Sequence, residues 1–126
     1  MGQYVAEVGD IIIKEEYRKD FGHLFREEYD KLESGIIADY AKEYYIDHVK
    51  HGHDPLMPVR EWKHMDYKES WRGKFQTEYD EETGRFTYGM VYNRRGAYFE
   101  PMYTMFYLLL EITEEELWYD SVDDGG

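Results

Sequence analysis

WRGKFQTEYD (71–80), EETG (81–84) and RFTYGMVYN (85–93) follow one another past the middle of the chain. In the first run Trp71, Gly73, Phe75, Thr77 and Tyr79 share one face, and in the second Phe86, Tyr88, Met90 and Tyr92 do the same. Successive side chains of a strand point to opposite faces, so a period of two marks strands with one face buried. Two such runs around a glycine-containing turn predict an antiparallel hairpin over 71–93. Aromatic residues facing across it would supply cross-strand pairs.

Toward the N-terminus the period changes. Tyr17, Phe21, Leu24, Phe25 and Leu32 fall on one helical face, opposite Glu16, Lys19, Asp20, Glu27 and Lys31. This spacing predicts a helix from about Glu15 to Glu33. Ser34-Gly35 breaks it. Ile36, Ile37, Tyr40, Ala41, Tyr44 and His48 form a second stripe that runs to about Lys50, with Gly52 as its stop and Pro55 beyond. Ahead of both helices, YVAEVGDIII (4–13) is β-branched and apolar, and a short strand from Val8 to Lys14 after the Gly-Asp break is expected. Residues 52–70 contain two prolines and little period, and read as a loop.

Toward the C-terminus, AYFEPMYTMFYLLLEI (97–112) admits two readings. Phe99, Met102, Phe106, Leu109 and Leu110 make a helical stripe with Pro101 in a first turn, whereas Tyr103, Met105, Tyr107 and Leu109 alternate as in a central strand. The helix is preferred. Glu114 to Ser121 then forms a last strand, with Leu117 and Tyr119 on one face. The expected fold is α+β: N-terminal helices, about 15–51, packed on a small antiparallel sheet centred on the 71–93 hairpin. A C-terminal part extends to 122, and the whole forms one domain over 1–126.

A hydrophobic fraction of 42% is enough to build a core. The absence of cysteine excludes disulfides, thiolate catalysis and cysteine zinc sites. MGQYVAEVGD (1–10) is polar and acidic and does not read as a signal peptide, so none is expected, and the apolar run Met102 to Leu110 is far shorter than the ~20 residues of a membrane span. A cytoplasmic location is expected. Fifteen basic residues against twenty-eight acidic ones leave a net charge of −13. Nucleic-acid binding requires basic side chains against phosphates, and an anionic membrane repels an acidic surface, so neither is an expected partner. An acidic face suits a basic protein partner and speeds encounter with it.

HVKHGHDP (48–55) holds three of the five histidines. His48, His51, His53 and Asp54 are the candidate ligands of a zinc-type site. The His-x-His-Asp order resembles the metal motif of metallo-β-lactamase-type hydrolases, but Pro55 stands where that motif has a further histidine and only His64 follows. The resemblance is therefore rejected. A helix end accounts for the same residues: His48, Lys50 and His51 complement the dipole of a last turn that Gly52 closes. No cofactor is expected. Ser34, Ser70 and Ser121 lack a nucleophile elbow, and no phosphate-binding glycine loop is present, so a non-catalytic role is expected. Arg94-Arg95-Gly96 is the one compact basic spot, suited to an internal ion pair.

Acid is concentrated in two places. Glu78, Asp80, Glu81 and Glu82 surround the hairpin turn, and Glu111, Glu114, Glu115, Glu116 and Asp120 come late in the chain, with no lysine or arginine after Arg95. Residues 96–126 are thus expected to carry acid without compensation. Tyr107 and Tyr119, with Tyr79 nearby, would add anchors of the kind common at interfaces. These acids and tyrosines are the expected partner-binding residues. The expected function is that of an acidic inhibitor or binding protein that covers a basic site on a partner such as a nuclease or toxin. In general character the chain resembles immunity proteins and phage-encoded nucleic-acid mimics, with no residue pattern tying it to either. The alternatives are a small metal-binding protein or metal-dependent hydrolase using His48 to Asp54, and a phage-type structural or assembly subunit with tyrosines packed between copies.

Overall fold

A computed structural model describes residues 4–44, 77–93 and 99–123. The elements are β1 (Tyr4–Ile13), α1 (Arg18–Phe25), α2 (Ile36–Tyr44), β2 (Glu78–Asp80), β3 (Arg85–Asn93), α3 (Phe99–Ile112) and β4 (Thr113–Asp123). Single 3-10 turns lie at Glu15–Tyr17 and Tyr29–Lys31. The fold is α+β: the two N-terminal helices pack on a four-stranded antiparallel sheet of order β2-β3-β1-β4. The histidine cluster His48, His51, His53 and Asp54, the 52–70 loop, Trp71, Gly73, Phe75 and Arg94 to Gly96 lie outside the described residues.

β1 is longer than expected and joins the hairpin to β4. Its partners run from Tyr4 opposite Asn93 to Ile12 opposite Arg85 on one side, and from Val5 opposite Asp123 to Ile13 opposite Thr113 on the other. Since β3 and β4 both run antiparallel to β1, they are parallel to each other, and α3 carries the chain across β1 between them. Gly9 sits inside the strand, where the sequence suggests a break. It lies opposite Tyr88, whose ring crosses it: a Cβ at Gly9 would come within 2.5 Å of ring carbons. Glycine here makes room for an aromatic neighbour.

The core lies on the helix-facing side of the sheet. Ile11 and Ile13 of β1 and Phe86 and Tyr88 of β3 meet Phe21 and Leu24 of α1, Ile37, Ala38 and Ala41 of α2, and Met105, Leu108, Leu109 and Ile112 of α3 in one buried cluster. Phe21 stands edge-on to Tyr79 and Phe86, with ring centroids 5.0 and 4.8 Å away, and Phe86 stacks on Tyr88 at 5.2 Å. Each such pair adds ~0.5–1.5 kcal/mol beyond simple burial.

The single helix expected over 15–33 is instead a 3-10 turn, α1 and a second 3-10 turn. α1 ends at Phe25 because Glu27 takes a left-handed φ of 61°. The Glu28 N–H donates to the His23 carbonyl at 2.8 Å and the Glu27 N–H to the Leu24 carbonyl at 3.1 Å, the paired bonds of a Schellman stop. Glu28 then locks the corner, its carboxylate accepting from Arg26 Nε at 2.7 Å and Lys31 Nζ at 2.9 Å and lying 3.1 Å from His23 Nδ1. Leu32 still reaches the core, as its place on the apolar stripe suggests.

Candidate functional site

Antiparallel pairing brings distant acidic segments to one end of the sheet. β1 ends there and β3 and β4 begin there, so the 81–84 turn, the residues after Ile13 and the α3–β4 junction become neighbours. The Ile13 N–H donates to the Gly84 carbonyl at 2.7 Å and the Lys14 N–H to the Ile112 carbonyl at 2.8 Å. Gly84 is needed for this: its φ is +77°, and a Cβ would stand 2.7 Å from the Ile13 carbonyl oxygen. Asp80 shapes the turn, its Oδ1 accepting the Glu82 N–H at 3.0 Å.

Three basic side chains from the N-terminal third reach into this end. Arg18 donates from Nε to the Ile13 carbonyl at 2.9 Å and from a terminal nitrogen to the Glu82 carbonyl at 3.4 Å, and its other nitrogen is 3.7 Å from Glu114. Lys14 Nζ donates to the Glu111 carbonyl at 3.0 Å, and Arg26 lies 3.4 Å from Glu81. The late acidic segment is therefore partly compensated from the other end of the sequence, a correction to the expectation that 96–126 carries acid alone. Much of this cationic contact goes to backbone carbonyls. Among the described residues, none forms an ion pair with the exposed Glu15, Glu16, Glu82, Glu115 or Glu116.

The expected partner-binding residues divide. Glu78, Asp80, Glu81 and Glu82 are exposed on β2 and the turn, and Glu111, Glu114, Glu115 and Glu116 on α3 and β4. Tyr107 is 49% exposed. Tyr119 turns inward. The β1–β4 register skips Leu117, so Glu116 opposes Ile11 and Tyr119 opposes Gly9. The bulge thus puts residues three apart on one side and separates Tyr119 from Leu117, against the expected alternation. Burial, then the Glu7 carboxylate beside it, pushes the Tyr119 phenol up to about 12. Asp120 opposes Val8 and is half-buried. Tyr79 is also no outward anchor: it packs on Phe21, and its hydroxyl donates to the Arg18 carbonyl at 2.7 Å. Burial, then Glu81, raises its pKa above the ordinary tyrosine value. Among the described residues β4 is flanked on one side only. Glu114, Glu115, Glu116 and the irregular register make that edge a poor template for another strand.

Residues outside the expected set complete a second feature. Leu110, placed on the core stripe of α3 from sequence, is 61% exposed, because the helix buries Met105, Leu108, Leu109 and Ile112 instead. α3 is apolar on several faces, so periodicity does not select one. Leu110 stands between two clefts. One, of about 260 Å³, is lined by Ile11, Tyr88, Leu109, Thr113, Glu116 and Tyr119. The other, of about 310 Å³ between α2 and α3, is lined by Ile36, Tyr40, Tyr107 and Leu108 with Asp39, Glu43 and Glu111. The i, i+4 spacing of Asp39 and Glu43 was the available signal, but many such acid pairs occur in this sequence.

The described acids form no cluster with histidine that could hold a metal ion. No helix among the described residues is long and apolar enough to cross a membrane. What the arrangement offers chemically is an array of fixed carboxylates beside exposed apolar side chains. In comparisons with protein-family models, curated proteins and solved structures, nothing matches this chain.

Proposed function

We propose that this protein is a non-catalytic, acidic binding protein that covers a basic site on a partner protein, such as the phosphate-binding surface of a nuclease or toxin. The supporting observation is the convergence of Glu15, Glu16, Glu82 and Glu115 at one end of the sheet, while Lys14 and Arg18 there hold backbone carbonyls together. Carboxylates held on a rigid sheet end would stand in for phosphates and steer a basic partner to the surface. The same reading places the protein in the cytoplasm with its partner.

The test is capture of basic proteins by the purified chain at about 0.05 and 0.5 M salt, where screening lengths differ severalfold. A second arm carries Glu114→Gln, Glu115→Gln and Glu116→Gln together. Capture that is lost at high salt and weakened in the variant is expected. Capture indifferent to salt, or equal in the variant, would overturn the reading.

A further inference from the structure

The α2–α3 groove combines features that a solvated acidic surface lacks. Its lining includes Ile36, Tyr40, Tyr107, Leu108 and Leu110, and the charged residues that line it among those described, Asp39, Glu43 and Glu111, are all acidic and exposed. Among the described residues, no lysine or arginine lines it. Tyr107 and Leu110, three residues apart on α3, are 49% and 61% exposed and so stand side by side on its outward face. The volume, about 310 Å³, falls at the small end of the ~300–1,000 Å³ typical of ligand sites.

We infer that this groove receives a basic amphipathic segment of a partner protein, with its apolar side chains against Tyr107 and Leu110 and its lysines or arginines against Asp39, Glu43 and Glu111. This deepens the proposal above and rests on it. Charge decides the occupant. A second copy would bring the same carboxylates and a net charge of −13 to meet these, which repels. A nucleic acid is repelled for the same reason. Asp39 and Glu43 are one helical turn apart on α2, and Tyr107, Leu110 and Glu111 share a face of α3 at i, i+3 and i+4. Acid on α2 and apolar groups on α3 therefore run alongside each other. A helix with one basic and one apolar stripe matches both, in the manner of an amphipathic helix laid into a groove. The long stems of lysine and arginine also cover apolar surface while their charged heads stay at the rim.

The full chain is titrated calorimetrically with three synthetic peptides of about 18 residues, long enough to form helix. One is a leucine–arginine amphipathic helix, the second carries the same charge with serine in place of leucine, and the third is a leucine–glutamate helix. Leu110→Ser and the double variant Asp39→Asn with Glu43→Gln are titrated alongside, each checked for parental circular dichroism. The leucine–arginine peptide is expected to bind at least about tenfold more tightly than the other two, and each variant to weaken it by about tenfold. Equal binding of the serine–arginine peptide with no effect of Leu110→Ser would overturn the groove assignment while leaving the acidic-surface proposal standing. Equal binding of the leucine–glutamate peptide would overturn it by showing bare apolar adhesion. A parent chain that sediments as a dimer and a Leu110→Ser chain that sediments as a monomer would overturn it in favour of a second copy. No binding by any peptide also overturns it, and the capture experiment then decides the broader proposal separately. Should Leu110→Ser fail to fold, the exposed Asp39 and Glu43 pair carries the test.

Discussion

The two flanks of the sheet are built for different ends. Beside β2 and β3, Phe21, Phe25, Tyr79 and Phe86 interlock, Phe21 and Phe86 are fully buried, and the one polar tip of the group is satisfied by the Arg18 carbonyl. On the other flank, α3, packed on β3 and α2 and leading into β4, leaves Tyr107 and Leu110 half out of the protein, Leu117 of β4 is 46% exposed at a bulge, and two clefts remain open. Both flanks are rich in aromatic and apolar residues. The first uses them to exclude water from a core, and the second presents them beside carboxylates. A high tyrosine content therefore says little until the side on which each ring lies is known.

Substitutions can break this contrast. Phe86→Ala should cost ~3–5 kcal/mol in urea denaturation, because it empties the centre of the aromatic corner. Leu110→Ala, on the other flank, should stay within ~0.5 kcal/mol of the parent. Equal losses at the two sites would erase the distinction. Gly84→Ala should lower stability by ~2 kcal/mol in thermal unfolding, since a left-handed φ and the Ile13 carbonyl both oppose a Cβ. That would show how far the acidic end depends on the turn being held against β1.

Acid should weaken the α1 corner. Hydrogen bonds from Lys31, then Arg26 and His23, hold the Glu28 carboxyl down from 4.5 to about 2. A depressed folded-state pKa means that the contribution is present above 4.5 and is lost as pH falls through about 2. Glu28→Gln should accordingly flatten the acid limb of stability against pH. An unchanged limb would mean that these exposed pairs contribute nothing measurable, as surface pairs often do. A small effect is expected from Glu27→Gly. Glycine removes a left-handed penalty of ~1–2 kcal/mol but adds unfolded-state entropy of ~0.5–1 kcal/mol, so a net gain between zero and ~1.5 kcal/mol is expected.

Period and punctuation made much of the fold legible. The alternation of Phe86 and Tyr88 marks β3, Pro101 near the start of α3 favours helix there, and the Ile36–Ala41 stripe marks α2. Three features were hidden for physical reasons. The α1 stop uses a glutamate in a left-handed conformation, where glycine or asparagine is the usual sign. Gly9 looks like a break because the ring that needs its missing Cβ comes from Tyr88, 79 positions away. The pairing of Arg18 with Glu114 exists only once β1 and β4 lie side by side, so charge counted along the chain overstates the isolation of the late acids. For the candidate site, the sequence shows Glu111 and Tyr107 but gives no reason to choose Asp39, Glu43 or Leu110. The α3 face left outward is settled by packing against β3 and α2, and apolar residues on several sides of that helix leave its period silent.

The division between flanks is tested most directly by pairing two readouts on Leu110→Ser: its urea midpoint and its affinity for the leucine–arginine peptide. The expected result is a midpoint equal to that of the parent with affinity lower by about tenfold, a loss of about 1.4 kcal/mol in binding alone. A lowered midpoint with unchanged affinity would contradict the account, by placing Leu110 with the core and leaving the open flank without a role in recognition.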